Sequence, residues 1–140
     1  MKKTEQLLKT IQMSKDYQEF ISDNKKDLIS LKKLGETFQK ILEEKNLKKS
    51  NVIRSSGIDR GYAYDILSDK KQPSRDKVLL LCLSASFSFE ETQTLLKQTG
   101  YPLLYARISR DSAIIFAFEH HMSVMDTNEL LYDLHHEILS

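Results

Sequence analysis

The sequence predicts an all-α protein, and three observations carry that expectation. Proline and glycine are scarce, 2 and 4 in 140 residues, so little interrupts helix formation. Apolar residues recur at three- and four-residue spacing in several windows, which marks amphipathic helices. No window alternates Val, Ile and Thr with polar residues, so strands have no signal.

The elements follow in order. Thr4 to about Ser22 carries Leu7, Leu8, Ile11, Phe20 and Ile21 and reads as one helix. The polar stretch SDNKKD is a linker. Ser30 to about Lys45 places Leu31, Leu34, Phe38, Ile41 and Leu42 on one helical face. Asn51 to Ser55 is a short helix, ended where Gly57 supplies a left-handed turn. Ile58 is then an apolar plug, Asp59 an N-cap, and Arg60 to about Leu67 a second helix. Val52, Ile53, Ile58, Ala63 and Ile66 can face one core, which leaves Arg60, Gly61, Tyr62, Tyr64 and Asp65 largely outward.

Ser74 caps a helix through Val78–Leu83 that is apolar nearly all round and belongs at the centre of the fold. Ser88 and Glu91 form a capping box opening a helix to Gln98, which Gly100 and Pro102 stop. SRDSAIIFAFEHH and SVMDTNELLYDLHHEIL supply two more helices, the second with a box of Ser123 and Asp126. No internal repeat and no low-complexity segment is legible.

Composition narrows the class. A chain with 40% hydrophobic and 29% charged residues is ordinary for a soluble protein with one core. The lone Cys82 excludes an intramolecular disulfide framework, and its leucine neighbours mark it as a buried structural thiol. The basic start MKKTEQLL lacks the apolar run of a secretory signal. No stretch approaches the ~18 apolar residues of a membrane span, so the expectation is a cytoplasmic protein without membrane contact. His120–His121 and His135–His136 are adjacent pairs whose side chains point apart on a helix, and Asp133 with His136 has no second pair to complete a metal site. No metal or cofactor is expected. No Gly-rich phosphate loop, HExxH or nucleophile–base pattern suggests catalysis.

Charge is unevenly placed. Between Lys45 and Arg75 stand eight cations against Asp59, Asp65 and Asp69, a net of +5. After Arg110 there is no Lys or Arg, and six carboxylates give −6. The chain's net +1 therefore conceals a dipole, and a basic face over the paired short helices suits DNA phosphates.

From Leu47 to Ser74 the sequence resembles the phage-repressor and Cro-like (Xre-type) helix-turn-helix family of transcriptional regulators. The family's L-T-Q-E-E-L-A opening is met by LKKSNVI, and its G-V-S turn by Gly57, Ile58 and Asp59. Its reading helix is met by Arg60 to Ile66, and its N-G-K-R-x-P-S loop by SDKKQPS. Departures are Ile53 for a small Ala, Lys49 for Gln, and Asp69 for the loop Gly. The resemblance implies a lambda-repressor-like five-helix DNA-binding core over about Leu31 to Gln98, with an added N-terminal helix and two C-terminal helices. The expected domains are residues 1–29 (helix and linker), 30–100 (helix-turn-helix domain) and 101–140 (an extension that either enlarges the core or forms a dimer surface).

The resemblance also implies a site. Arg60, Gly61, Tyr64 and Asp65 would read bases, Arg60 foremost. Lys48, Lys49, Tyr62, Lys70, Lys71 and Arg75 would hold the DNA backbone, with Tyr62 half in the core. The expected partners are double-stranded DNA and a second copy in a homodimer, with a protein partner possible through the terminal helices. The competing reading is an adaptor or antitoxin-like module that keeps the fold without operator binding, a reading prompted by Ile53 and Asp65.

Overall fold

Every apolar side chain of one helix, Arg75–Ser84, is buried, from Val78 to Leu83, and the rest of the larger unit is organised around it. The computed structural model describes residues 2–140. Among the described residues there are nine α-helices and no strand: α1 Thr4–Met13, α2 Tyr17–Asn24, α3 Leu34–Glu44, α4 Lys49–Ser56, α5 Arg60–Leu67, α6 Arg75–Ser84, α7 Phe89–Thr99, α8 Ser109–Glu119 and α9 Val124–Asp133, plus a 3-10 turn over Lys25–Asp27. The all-α expectation holds. None of these helices is long and apolar enough to cross a membrane.

The chain divides into two compact units, Met1–Ser30 and Leu31–Ser140. In the first, the single helix expected from Thr4 to Ser22 is broken. Ser14 takes extended backbone and its hydroxyl donates to Thr10 O at 2.7 Å. Asp16 then starts α2 as its N-cap, accepting from Gln18 N at 3.1 Å. No residue of α1 is buried, while Phe20 and Asn24 of α2 are.

In the second unit α3 begins at Leu34, not Ser30, because its cap comes from elsewhere. The carboxylate of Asp69 accepts from Gly35 N at 2.7 Å and Glu36 N at 3.0 Å, satisfying two orphan N–H groups of the first turn. Asp69 holds φ 63° to do so. Asp69 thus combines a left-handed backbone with a cap for α3. Gly35 is needed beside it, since a Cβ there would lie 2.5 Å from Leu67 O and 2.8 Å from Ile66 O. The close crossing is therefore α3 over the end of α5, and Ile53 of α4 is simply buried. Leu31 stays outside the helix, 60% exposed, on a strand of chain tied to α7 by Lys32 N donating to Gln98 O at 2.9 Å.

Residues 101–140 share this core. Leu104, Ala113, Ile114, Ala117, Phe118, Leu131 and Leu139 belong to the same buried cluster as α3–α7. Cys82 is fully buried within it, and burial, with the Glu91 charge, pushes its thiol well above the ordinary range against a hydrogen bond with Thr92.

The structure also corrects the expectation of no internal repeat. Residues 74–105 and 109–140 align at an offset of 35, as from Arg75 to Arg110. Each begins Ser-Arg-Asp and opens its second helix with a serine cap, Ser88 or Ser123. Each has a buried threonine whose hydroxyl returns to that serine's carbonyl, Thr92 at 2.9 Å and Thr127 at 2.7 Å. One residue further, Gln93 and Asn128 each clamp a buried leucine backbone, Leu104 or Leu139, through paired amide hydrogen bonds. The helix-ending left-handed residues also coincide, Ser86 with His121 and Gly100 with His135. Arg75 Nε donates to Pro102 O at 3.0 Å, and Arg110 Nε to Glu137 O at 3.0 Å.

The halves grip each other reciprocally. Arg75 makes a two-pronged contact with Asp111 at 3.1 and 2.8 Å, and Arg110 the matching one with Asp76 at 3.1 and 2.9 Å. α6 packs on α9 as α8 packs on α7. Such mutual contact of equivalent residues is the relation of a two-fold axis, here within one chain.

Candidate nucleic-acid interface

α4 and α5 are joined by Gly57, Ile58 and Asp59, and each of the three has a physical task. Gly57 closes α4 at φ 72°, ψ 3°, the left-handed region in which a side chain is strained. Ile58 is buried, and its N–H donates at 3.1 Å to the hydroxyl of Ser56, itself buried and donating to Ile53 O at 2.6 Å. Asp59 caps α5 by accepting from Tyr62 N at 3.1 Å. Val52, Ile53, Ile58, Ala63 and Ile66 are all buried, as their spacing requires.

The outward side is cationic and aromatic. Arg60 and Gly61 are exposed at the start of α5. The Tyr64 ring, half-buried, has Arg60 Cζ 5.6 Å and Lys49 Nζ 5.3 Å from its centroid. One phenol therefore collects two cations from the starts of two helices. Among the described residues none of Lys48, Lys49, Arg60, Lys70 or Lys71 forms an ion pair. Gly61 is open space apart from Asp59 Oδ2 at 3.5 Å from where a Cβ would stand, so nothing inside the chain calls for glycine there. Asp65 is half-buried, and its carbonyl accepts from Lys70 N at 2.9 Å and Lys71 N at 3.2 Å, folding that loop over the end of α5.

Of the ten expected site residues, Lys49, Arg60 and Tyr64 come together, with Gly61 beside Arg60 and Lys48 before Lys49. Lys70 and Lys71 stand at the other end of α5. Tyr62 is half-buried and packs on the core, with Lys77 Nζ 5.5 Å from its ring centroid. Lys77 was not among the expected site residues, although its place three residues after the Ser74 cap puts it in the half-buried first turn of α6 beside Tyr62.

Arg75 is a correction. It was expected at the DNA backbone, but Nε, Nη1 and Nη2 are all engaged on Pro102 O, Leu103 O and Asp111. Asp111 is the stronger partner because it is nearly buried, with 4% of its side chain exposed. Burial alone would raise the Asp111 carboxyl, but the Arg75 bonds, the Tyr105 N–H and the charges of Arg75 and Arg110 outweigh it and hold it below the usual range. Lys45, counted in the basic face, is likewise taken by Glu91 at 2.9 Å.

Comparison with protein-family models, curated proteins and solved structures found no match. Geometry and chemistry alone bear on function.

Proposed function

We propose that this chain is a sequence-specific DNA-binding transcriptional regulator, with α3–α7 in a repressor-like five-helix arrangement and α5 entering the major groove. The observation that carries this reading is the start of α5. Arg60, without an ion pair, stands beside a glycine with no internal cause and rests against an aromatic ring that also holds Lys49. Glycine inside a helix costs about 1 kcal/mol relative to alanine, so its place at an exposed first turn is explained by something outside the chain that must come close.

The roles follow from chemistry. Arg60 presents a planar fork matching the O6 and N7 acceptors of guanine. Tyr64 holds that fork in place and offers its ring edge to a thymine methyl or the backbone, and Asp65 lies on the next turn. Lys48, Lys49, Lys70 and Lys71, with Tyr62 and Lys77 at the border, neutralise phosphates on either side. Two copies on adjacent half-sites would multiply the specificity.

The test is affinity for random duplex measured against salt, followed by selection of preferred duplexes from a random pool. Each phosphate contact contributes about 0.9 to the log–log salt slope, so four or more lysine contacts should give a steep fall. Binding that is absent or indifferent to salt overturns the proposal and leaves a protein-interaction module.

A further inference from the structure

The two halves of the internal repeat differ in what covers them. On the first half, α4 packs along α6 and α3 against α7. Phe38 of α3 stacks on Phe87 with centroids 5.2 Å apart. Two helical turns later Lys45 reaches Glu91 at 2.9 Å. Beneath this helical hairpin Leu81, Phe87 and Leu95 are sealed from solvent.

On the second half the equivalent positions are Phe116, Met122, Asp126 and Leu130. α8 packs on α7 and α9, but nothing corresponds to α4 over α6. Phe116 is accordingly 50% exposed where Leu81 is 0%. Met122 and Leu130 are only partly covered, and Asp126 is exposed with no ion pair among the described residues. The flanking charges Glu119, Glu129, Asp133 and Glu137 are all negative, and no Lys or Arg follows Arg110. Pressing two such acidic surfaces together is opposed by like charge, which argues against a second copy of this face as the occupant.

We propose that the Phe116–Met122–Asp126 face of α8–α9 docks an amphipathic helical hairpin of a partner protein, one helix of which carries a large apolar residue and, two turns on, a lysine or arginine. The apolar residue covers Met122 as Phe38 covers Phe87, the cation meets Asp126 as Lys45 meets Glu91, and the second helix covers Phe116 as α4 covers α6. This is helix-in-groove recognition with the pattern supplied by the chain's own first half. It does not depend on DNA binding.

The experiment selects binders to the full-length chain from a displayed library of helical hairpins randomised at apolar and border positions. Enriched binders should carry Lys or Arg at the border position and lose at least tenfold in affinity against Asp126→Lys and against Phe116→Glu. A Glu at that border position should restore binding to the Asp126→Lys chain. Both substituted residues are exposed, and thermal melts should show both variants folded, with Asp126→Lys slightly less stable because it sets a cation in the first turn of α9. An empty selection, or binders indifferent to both substitutions, overturns the proposal. Sedimentation of the free chain as a dimer that Phe116→Glu dissolves also overturns it, since the occupant is then a second copy.

Discussion

Arg60 and Arg75 each lie in the first turn of a short helix in the same basic segment, yet they have opposite fates. Arg75 spends its guanidinium on two carbonyls and the nearly buried Asp111. Arg60 has no carboxylate and rests against Tyr64. The difference lies in what the opposite helix brings. α8 carries an acid to the start of α6, whereas Arg60 is left exposed at the start of α5. Folding thus gives Arg75 an internal anion and leaves Arg60 without one among the described residues.

The largest test of this contrast is on the paired side. Asp111→Asn removes the counter-charge but keeps the shape, and leaves the Arg75 guanidinium poorly compensated; stability should fall by about 3 kcal/mol, read as a lowered urea midpoint. The pH dependence has a definite sign. The Asp111 carboxyl is held below its unfolded value, so its contribution is full above about pH 4, the ordinary Asp value, and is lost as pH falls through the lower folded value. The Asn variant should show a flatter loss of stability in that acid window.

On the unpaired side, Arg60→Ala should leave the urea midpoint nearly unchanged while costing about 1–3 kcal/mol on the preferred duplex and relaxing choice at one base pair per half-site. A stability loss like that of Asp111→Asn would erase the contrast. Smaller still, Lys49→Ala or Lys71→Ala should weaken binding to all duplexes alike and lower the salt slope by about one unit each. Both slopes unchanged would remove those lysines from the interface. The smallest effect is Gly61→Ala, which should raise stability by about 0.5–1 kcal/mol and still weaken DNA binding. Unimpaired binding would mean the missing side chain serves no close approach.

Much of the helical order was legible because its signals are local. The caps Asp59, Ser74 and Ser88, the left-handed Gly57 and the apolar run of α6 act within a few residues of themselves. What escaped reading acts over distance. The start of α3 depends on Asp69, 34 residues beyond Gly35, and Gly35 on the carbonyls of α5. Arg75 depends on an acid 36 residues away. The internal repeat escaped because many of its matching parts are clamps and left-handed ends, which Gln and Asn, Ser and His, or Gly and His fill interchangeably, while the capping box of Ser88 and Glu91 has no counterpart in the Asp126 side chain. At the candidate site, residue type alone singles out Arg60, Arg75 and the lysines alike, and only packing separates Lys49 beside Tyr64 from Arg75 inside the fold.

Cys82 turns the core into its own reporter. Its thiol is wholly buried and held protonated, two separate bars to attack by a disulfide reagent, which needs an exposed thiolate. As the sole cysteine in the chain, it gives a labelling signal free of background. Where opening and closing are fast relative to labelling, the rate measures how often the core around α6 opens, and so its free energy. Native protein should label slowly, the Asp111→Asn chain markedly faster, and Arg60→Ala at the parent rate.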